Sequence, residues 1–245
     1  MGEMNEQLIE TYSGFLARDV APRLKELGFR RSGANFWRRP TPPETNWIML
    51  NFQSSTADDV RRFVVSFGIV SPVLLGSESW WRGAPPEPGK LPKRDQAQLT
   101  WRLVQGWKER SEYAVESWWQ VSPAMRAETL AETAREVVKT IVDDGLPRVA
   151  GLTSDSGLRD YYLRQLDDPD ALFAPIDLGY VITLLDAVGP RDEIDAVRAR
   201  GAAAIARSDA IRTDFISRMS PHTGQIASEY VEWSRGTTQR SDAEN

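Results

Sequence analysis

The chain has 245 residues, 41% of them apolar and nine of them tryptophan, and a formal net charge of −5. That apolar content suffices for a folded core and excludes a disordered or fibrous chain. Cysteine is absent and histidine occurs once, which excludes disulfides, thiolate metal sites and cysteine nucleophiles and leaves too few donors for a zinc site.

The N-terminal stretch "MGEMNEQLIE" is acidic and has no hydrophobic signal core, and no apolar run approaches the length of a membrane span, so a cytoplasmic protein is expected. Residues 5–27 carry Leu8, Tyr12, Phe15, Leu16, Val20, Leu24 and Leu27 at steps of three and four, which predicts one amphipathic helix. Pro22 has no N–H to give to the preceding turn and should bend it, and Gly28 is placed to end it. "FRRSGANFWRR" has rings at both ends of a turn composition, which predicts a hairpin. "NWIMLNFQSS", "RRFVVSFGIV" and "LTWRLVQGW" alternate with period two and predict strands joined antiparallel. One face should carry Ile48, Leu50, Phe52, Phe63, Val65 and Phe67, with Trp101 on an apolar side as well.

Residues 71–98 are rich in proline and read as a long exposed loop carrying Trp80 and Trp81. "ESWWQVSP" gives a short strand whose two tryptophans face opposite ways. Ser122 is then expected to cap a helix with Pro123 at its first position. From Ser154 onward helices fit 155–167, 176–188, 191–207, 209–219 and 223–235, with breaks at "DDPD", "VGP", Ser208 and "SPHTG". The expected fold is therefore α+β: an antiparallel sheet of about five strands flanked by helices over residues 1–152, an all-helical part over 153–235, and a disordered tail over 236–245.

In the order "LKELGFRRSGANFWRR", Asn51-Phe52-Gln53-Ser54, Phe67-Gly68-Ile69 and Trp118-Trp119, the chain resembles the domain of unknown function 4304 family over roughly residues 8–150. The resemblance implies a bacterial α+β domain and supplies no catalytic residue. Twenty-five arginines against five lysines also fit a GC-rich bacterial genome.

Phosphate-binding glycine loops and the GxSxG nucleophile elbow are absent. The single histidine, His222, falls in a turn composition with no base or acid beside it in sequence. The acidic clusters Asp58-Asp59, Asp143-Asp144, Asp167-Asp168-Asp170 and Asp192-Glu193-Asp195 lack an EF-hand pattern. Glu128, Glu132 and Glu136 form a solvated helix face. Charge is unevenly spread: Gly28 to Arg110 has thirteen basic against seven acidic residues, and Gly151 onward has ten against sixteen.

The stretch "GFRRSGANFWRRP" holds four arginines and three rings without an acid. Four like charges repel, so an anionic or π-rich neighbour is expected beside it. By alternation the second sheet face carries Trp37, Arg39, Trp47, Asn51, Gln53, Ser66 and Arg102, and it is expected either to be wet or partnered or to be covered by the acidic C-terminal helices. The functional expectation is a non-catalytic binding protein that meets a protein partner through Trp37, Arg39, Trp47, Gln53 and Arg102, with no cofactor and no metal. The alternatives are an enzyme using carboxylate or oxygen-ligated Mg²⁺ chemistry, and a binder of single-stranded nucleic acid, which the acidic pI of about 5.2 disfavours.

Overall fold

A computed structural model of the chain describes residues 2–57, 59–78, 90–103 and 118–217. The chain divides into two compact units: Met1–Arg159 with Ala187–Gly189, and Asp160–Asp186 with the chain from Pro190.

The first unit is built on an antiparallel sheet of β1 Phe29–Ser32, β2 Asn35–Arg38, β3 Trp47–Ala57, β4 Val60–Val70, β5 Leu99–Leu103 and β6 Trp119–Val121. The order is β1-β2-β3-β4-β5, with β6 also on β4. β5 pairs with Val65–Ile69 and β6 with Arg61–Phe63, so six strands fill five positions. Ile48, Leu50, Phe52, Phe63, Val65 and Phe67 are all buried, as period-two alternation requires. Phe63 is the centre of this face. Its ring packs 5.5 Å from Tyr12, 5.6 Å from Phe15, 6.0 Å from Phe52 and 5.8 Å from Trp119. Trp119 is buried and Trp118 is half-buried. Trp101 is also half-buried, because β5 has a described strand neighbour on one side only. Its ring stacks on Phe67 at 5.5 Å and 7°.

The helix over residues 2–26 runs as α1 Gly2–Phe15, a π turn Leu16–Val20 and α2 Ala21–Glu26. Pro22 is the second residue of α2, so the wide turn falls where the missing N–H and the ring would otherwise disrupt an α turn. The same device recurs: α4 Ala127–Thr140, a π turn Ile141–Gly145, then α5 Leu146–Val149 with Pro147 second. Gly145 sits against the sheet so closely that a Cβ there would lie 2.2 Å from Phe67 Cζ. Gly28, at φ +84°, ends α2 and turns the chain into β1.

Three expectations need correction. Ser122 does not cap α4: its Oγ accepts from the Ala124 N–H in a separate turn, and α4 starts after Arg126, which is extended at ψ 155°. The proline-rich stretch is not all exposed loop. Ser71 caps α3 Pro72–Ser77, and a 3₁₀ turn Arg94–Gln96 precedes β5. Ser208 does not break a helix. α8 Ile194–Ser217 runs through it, because its buried Oγ donates to Ala204 O at 2.9 Å while accepting from Phe173 N–H at 2.8 Å. Helices α6 Asp155–Asp167 and α7 Pro175–Val188 complete the set, with the expected bounds to within a residue. The expected helix at 223–235, the tail and the loop tryptophans Trp80 and Trp81 lie outside the described residues.

Within the second unit, Arg200 forms a bidentate pair with Asp167 at 2.5 and 2.6 Å. Arg207 donates to the carbonyls of Leu166 and Asp168. These bonds tie α8 to the end of α6 around Leu166, Phe173, Leu184 and Val197.

Candidate functional site

The second face of the sheet divides into two cross-strand rows. Trp37, Met49, Gly68 and Thr100 form one row; Asn35, Asn51, Ser66 and Arg102 form the next. The first continues into Trp47 and Val70, which are also paired. One half of the face is thus apolar and the other polar.

The apolar half is buried. Trp37 is 2% exposed and Trp47 7%, in a cluster with Met49, Val70, Leu75 and Ala97, with Leu91 packed on it. This corrects the expectation that both rings are presented outward. Helix α3 supplies Leu75 and the chain before β5 supplies Leu91 and Ala97. Both come from the stretch whose prolines read as open loop. Arg39 stays exposed and lies over the Trp47 ring at 5.2 Å.

Two more arginines of the opening stretch find neighbours within the chain. Arg38 pairs with Glu44 at 2.8 Å, and Arg31 donates to the carbonyls of Gly33 and Ser13. The neighbours expected for the acid-free hairpin are therefore Trp47, Glu44 and main-chain oxygens. Arg30 and Arg39 are exposed with no ion pair and no side-chain hydrogen bond to any described residue, and Arg30 lacks even the ring contact that Arg39 makes with Trp47.

The polar half opens into a cavity of about 330 Å³ lined by Met49, Asn51, Gln53, Ser66, Arg94, Thr100, Trp101 and Arg102. Of the five residues expected to bind, Gln53 and Arg102 meet here. Trp37 and Trp47 form the neighbouring apolar support, and Arg39 caps that support. Asn51 and Ser66 were legible as members of the face. Arg94 was not, since it lies on the 3₁₀ turn, where strand alternation carries no information.

That turn is held on both sides. Lys93 N–H donates to Gln96 Oε1 at 2.8 Å, and Gln96 is buried. Gln98 accepts from Ser71 N–H at 3.0 Å and donates to Glu78 at 3.2 Å. Within the wall, Asn51 Nδ2 donates to Asn35 Oδ1 at 2.5 Å. Two guanidinium groups, two amides and two hydroxyls thus line the cavity, and among the described residues no carboxylate or imidazole does. Such a set donates hydrogen bonds to anionic or carbonyl oxygens. Neither Ser66 nor Thr100 has a base among the lining side chains to activate it as a nucleophile.

Elsewhere the titratable groups take structural parts. Buried Asp155 accepts from Ser71 Oγ at 2.8 Å, and its N–H donates to Thr45 Oγ1 at 2.9 Å. Asn46 donates to Leu152 O at 3.0 Å, so residues 45–46 are fastened to the start of α6. Lys139 pairs with Asp143, which raises the Lys139 pKa. Burial raises the Tyr12 hydroxyl far above its ordinary range, and that hydroxyl donates to Phe52 O at 3.1 Å. Glu128, Glu132 and Glu136 are exposed. Among the described residues no three His, Asp or Glu side chains converge to hold a metal, and no helix is long and apolar enough to cross a membrane. His222 lies outside the described residues.

The architecture is an α+β domain whose sheet is covered by helices on its apolar face and carries a donor-rich cavity on the other. The chain belongs to the family described as Domain of unknown function (DUF4304), whose model matches residues 20–150 and so includes the whole sheet and every cavity residue. No curated protein and no solved structure matches the chain.

Proposed function

We propose that the protein is a non-catalytic binding protein that recognises a protein partner through the second face of its sheet. Gln53 and Arg102 are contact residues, with Arg94, Asn51, Ser66 and Thr100 around them. Arg39 lies at the far end, and Trp37 and Trp47 form the apolar support beside the cavity. The observation that carries this reading is the cavity lining, which gathers hydrogen-bond donors on three strands and a braced turn and, among the described residues, holds no carboxylate and no acid–base pair. A partner's acidic or carbonyl groups complement such a lining.

The enzyme alternative would need converging carboxylates, and none of the described residues that line the cavity is one. The nucleic-acid alternative needs open rings on which bases stack, whereas Trp37 and Trp47 are buried. A photo-crosslinking phenylalanine analogue at Gln53, expressed in cells of the source organism, tests the reading. The control carries it at Glu132, on the exposed face of α4. A discrete protein adduct at position 53 and none at 132 is expected. No protein adduct at 53, or the same adducts at both positions, contradicts the proposal.

A further inference from the structure

Among the described residues the sheet ends at β1, which pairs with β2 alone. Gly33 and Ala34 make the turn between them, with Gly33 at φ +64°. Ser32 and Asn35 close this turn and exchange hydrogen bonds, so the pairs alternate along the hairpin. Arg31–Phe36 is not hydrogen-bonded, Arg30–Trp37 is, and Phe29–Arg38 is not. A residue that does not bond to β2 turns its N–H and C=O to the outer edge. Phe29 and Arg31 therefore present main-chain donors and acceptors outward, and among the described residues neither makes a main-chain hydrogen bond outside the hairpin.

The chain that leads into this edge is basic. From Arg18 to Arg39, seven Lys or Arg stand against two acids, a balance of +5 in a chain of −5. Arg18, Lys25 and Arg30 are exposed and Arg23 is half-buried. Among the described residues, none of these four forms an ion pair or a side-chain hydrogen bond. Arg23 and Lys25 belong to α2, which packs beside β1.

From these observations we infer that β1 is a docking edge for an extended acidic segment of a partner protein. The segment adds to the sheet as a further strand. Its backbone bonds to the outward groups of Phe29 and Arg31, and its carboxylates meet Arg30 and the cations of α2. Main-chain pairing supplies affinity and the charges supply selection and orientation. This surface is distinct from the cavity and stands or falls separately. A second copy is a poor occupant, because β1 against β1 sets arginine opposite arginine. Nucleic acid is a poor occupant as well, because Phe29, Phe36 and Trp37 are buried and leave no ring in the hairpin for stacking.

Basic side chains on an edge strand also serve to keep edges apart. That simpler role predicts attraction of any polyanion, with no use of the main chain. The test is fluorescence anisotropy of a labelled, acetylated peptide of alternating Glu and Val, titrated with the full-length protein. Binding that weakens with salt is expected, with slowed amide exchange at the Phe29 and Arg31 N–H groups. The same peptide N-methylated at alternate amides keeps its charge and should bind at least about tenfold more weakly. Arg30→Glu, at an exposed position, should lose a similar factor while melting at the wild-type temperature. A Gln–Val peptide and a short oligothymidylate should bind more weakly than the Glu–Val peptide. Equal binding of the N-methylated peptide or of the oligothymidylate, or no binding of the Glu–Val peptide at millimolar concentration, overturns the inference.

Discussion

Phe67 lies on β4 between the Trp101 ring and Gly145, and it couples the sheet to the helix above it. A methyl group at Gly145 would lie 2.2 Å from the Phe67 ring. Gly145→Ala should therefore destabilise the protein by about 1–3 kcal/mol, and Phe67→Ala by about 3–5 kcal/mol. Because the two groups contest one space, the double variant should be more stable than the sum of the single costs implies. Urea unfolding of all four proteins measures this, and strict additivity would contradict the contact. Trp37 follows the same logic. Trp37→Ala should cost about 3–5 kcal/mol, whereas Arg39→Ala, losing an exposed cation–π contact, should cost about 0.5–1 kcal/mol. Thermal melts that give Trp37→Ala a surface-sized effect would restore the outward-facing ring that the sequence suggested.

Asp177 supplies a pH dependence. Burial raises its pKa, opposed by the hydrogen bond from Ala174 N–H and by Arg212. An acid whose folded pKa lies above its unfolded one contributes stability at low pH and loses it as pH rises through the folded value. The loss begins near the ordinary Asp value of about 3.9 and runs upward from there. Stability followed by denaturant unfolding against pH should thus fall less steeply above about pH 4 in Asp177→Asn than in the wild type. A steeper fall in the variant would show the sign to be wrong.

At the scale of elements, Ser71 does two tasks. Its Oγ caps α3 through the Leu74 N–H at 3.3 Å and donates to the buried carboxylate of Asp155 at 2.8 Å. Ser71→Ala leaves the carboxylate without that donor and α3 without its cap, at a cost of about 2–4 kcal/mol. A change below about 0.5 kcal/mol in chemical denaturation would contradict the double role. The strands were legible because period two sorts their residues to two faces, Ile48, Leu50 and Phe52 to one and Trp47, Met49 and Asn51 to the other, although both faces are buried along the first half of β3. What covered the second face was not legible. α3 is only six residues long, too short for a periodic signal, and the prolines around it point to loop. Hence Gln53 and Arg102 were placed correctly on one face, while the burial of Trp37 and Trp47 and the arrival of Arg94 depended on packing from a segment without periodicity. The π turns before Pro22 and Pro147 are a similar case. Proline signals a disturbance of the helix, and only the packed structure decides that it becomes a widened turn rather than a break.

At the scale of the whole molecule, charge is divided along the sequence. The first unit carries the basic stretch around the hairpin, and the residues from Gly151 onward carry sixteen acids against ten bases. Alternation finds strands and apolar stripes find helices, so the α+β class was readable from the chain. A site made from two cross-strand rows and a turn requires the register and the covering segment together, and it became visible only in three dimensions. The central claim is that the polar half of the second face holds a partner. It is tested most directly by isothermal titration of the partner recovered by crosslinking at position 53 against the wild type and against Arg94→Gln with Gln53→Ala. At least about a tenfold loss of affinity in the double variant, with an unchanged melting temperature, is expected. Unchanged affinity would contradict it.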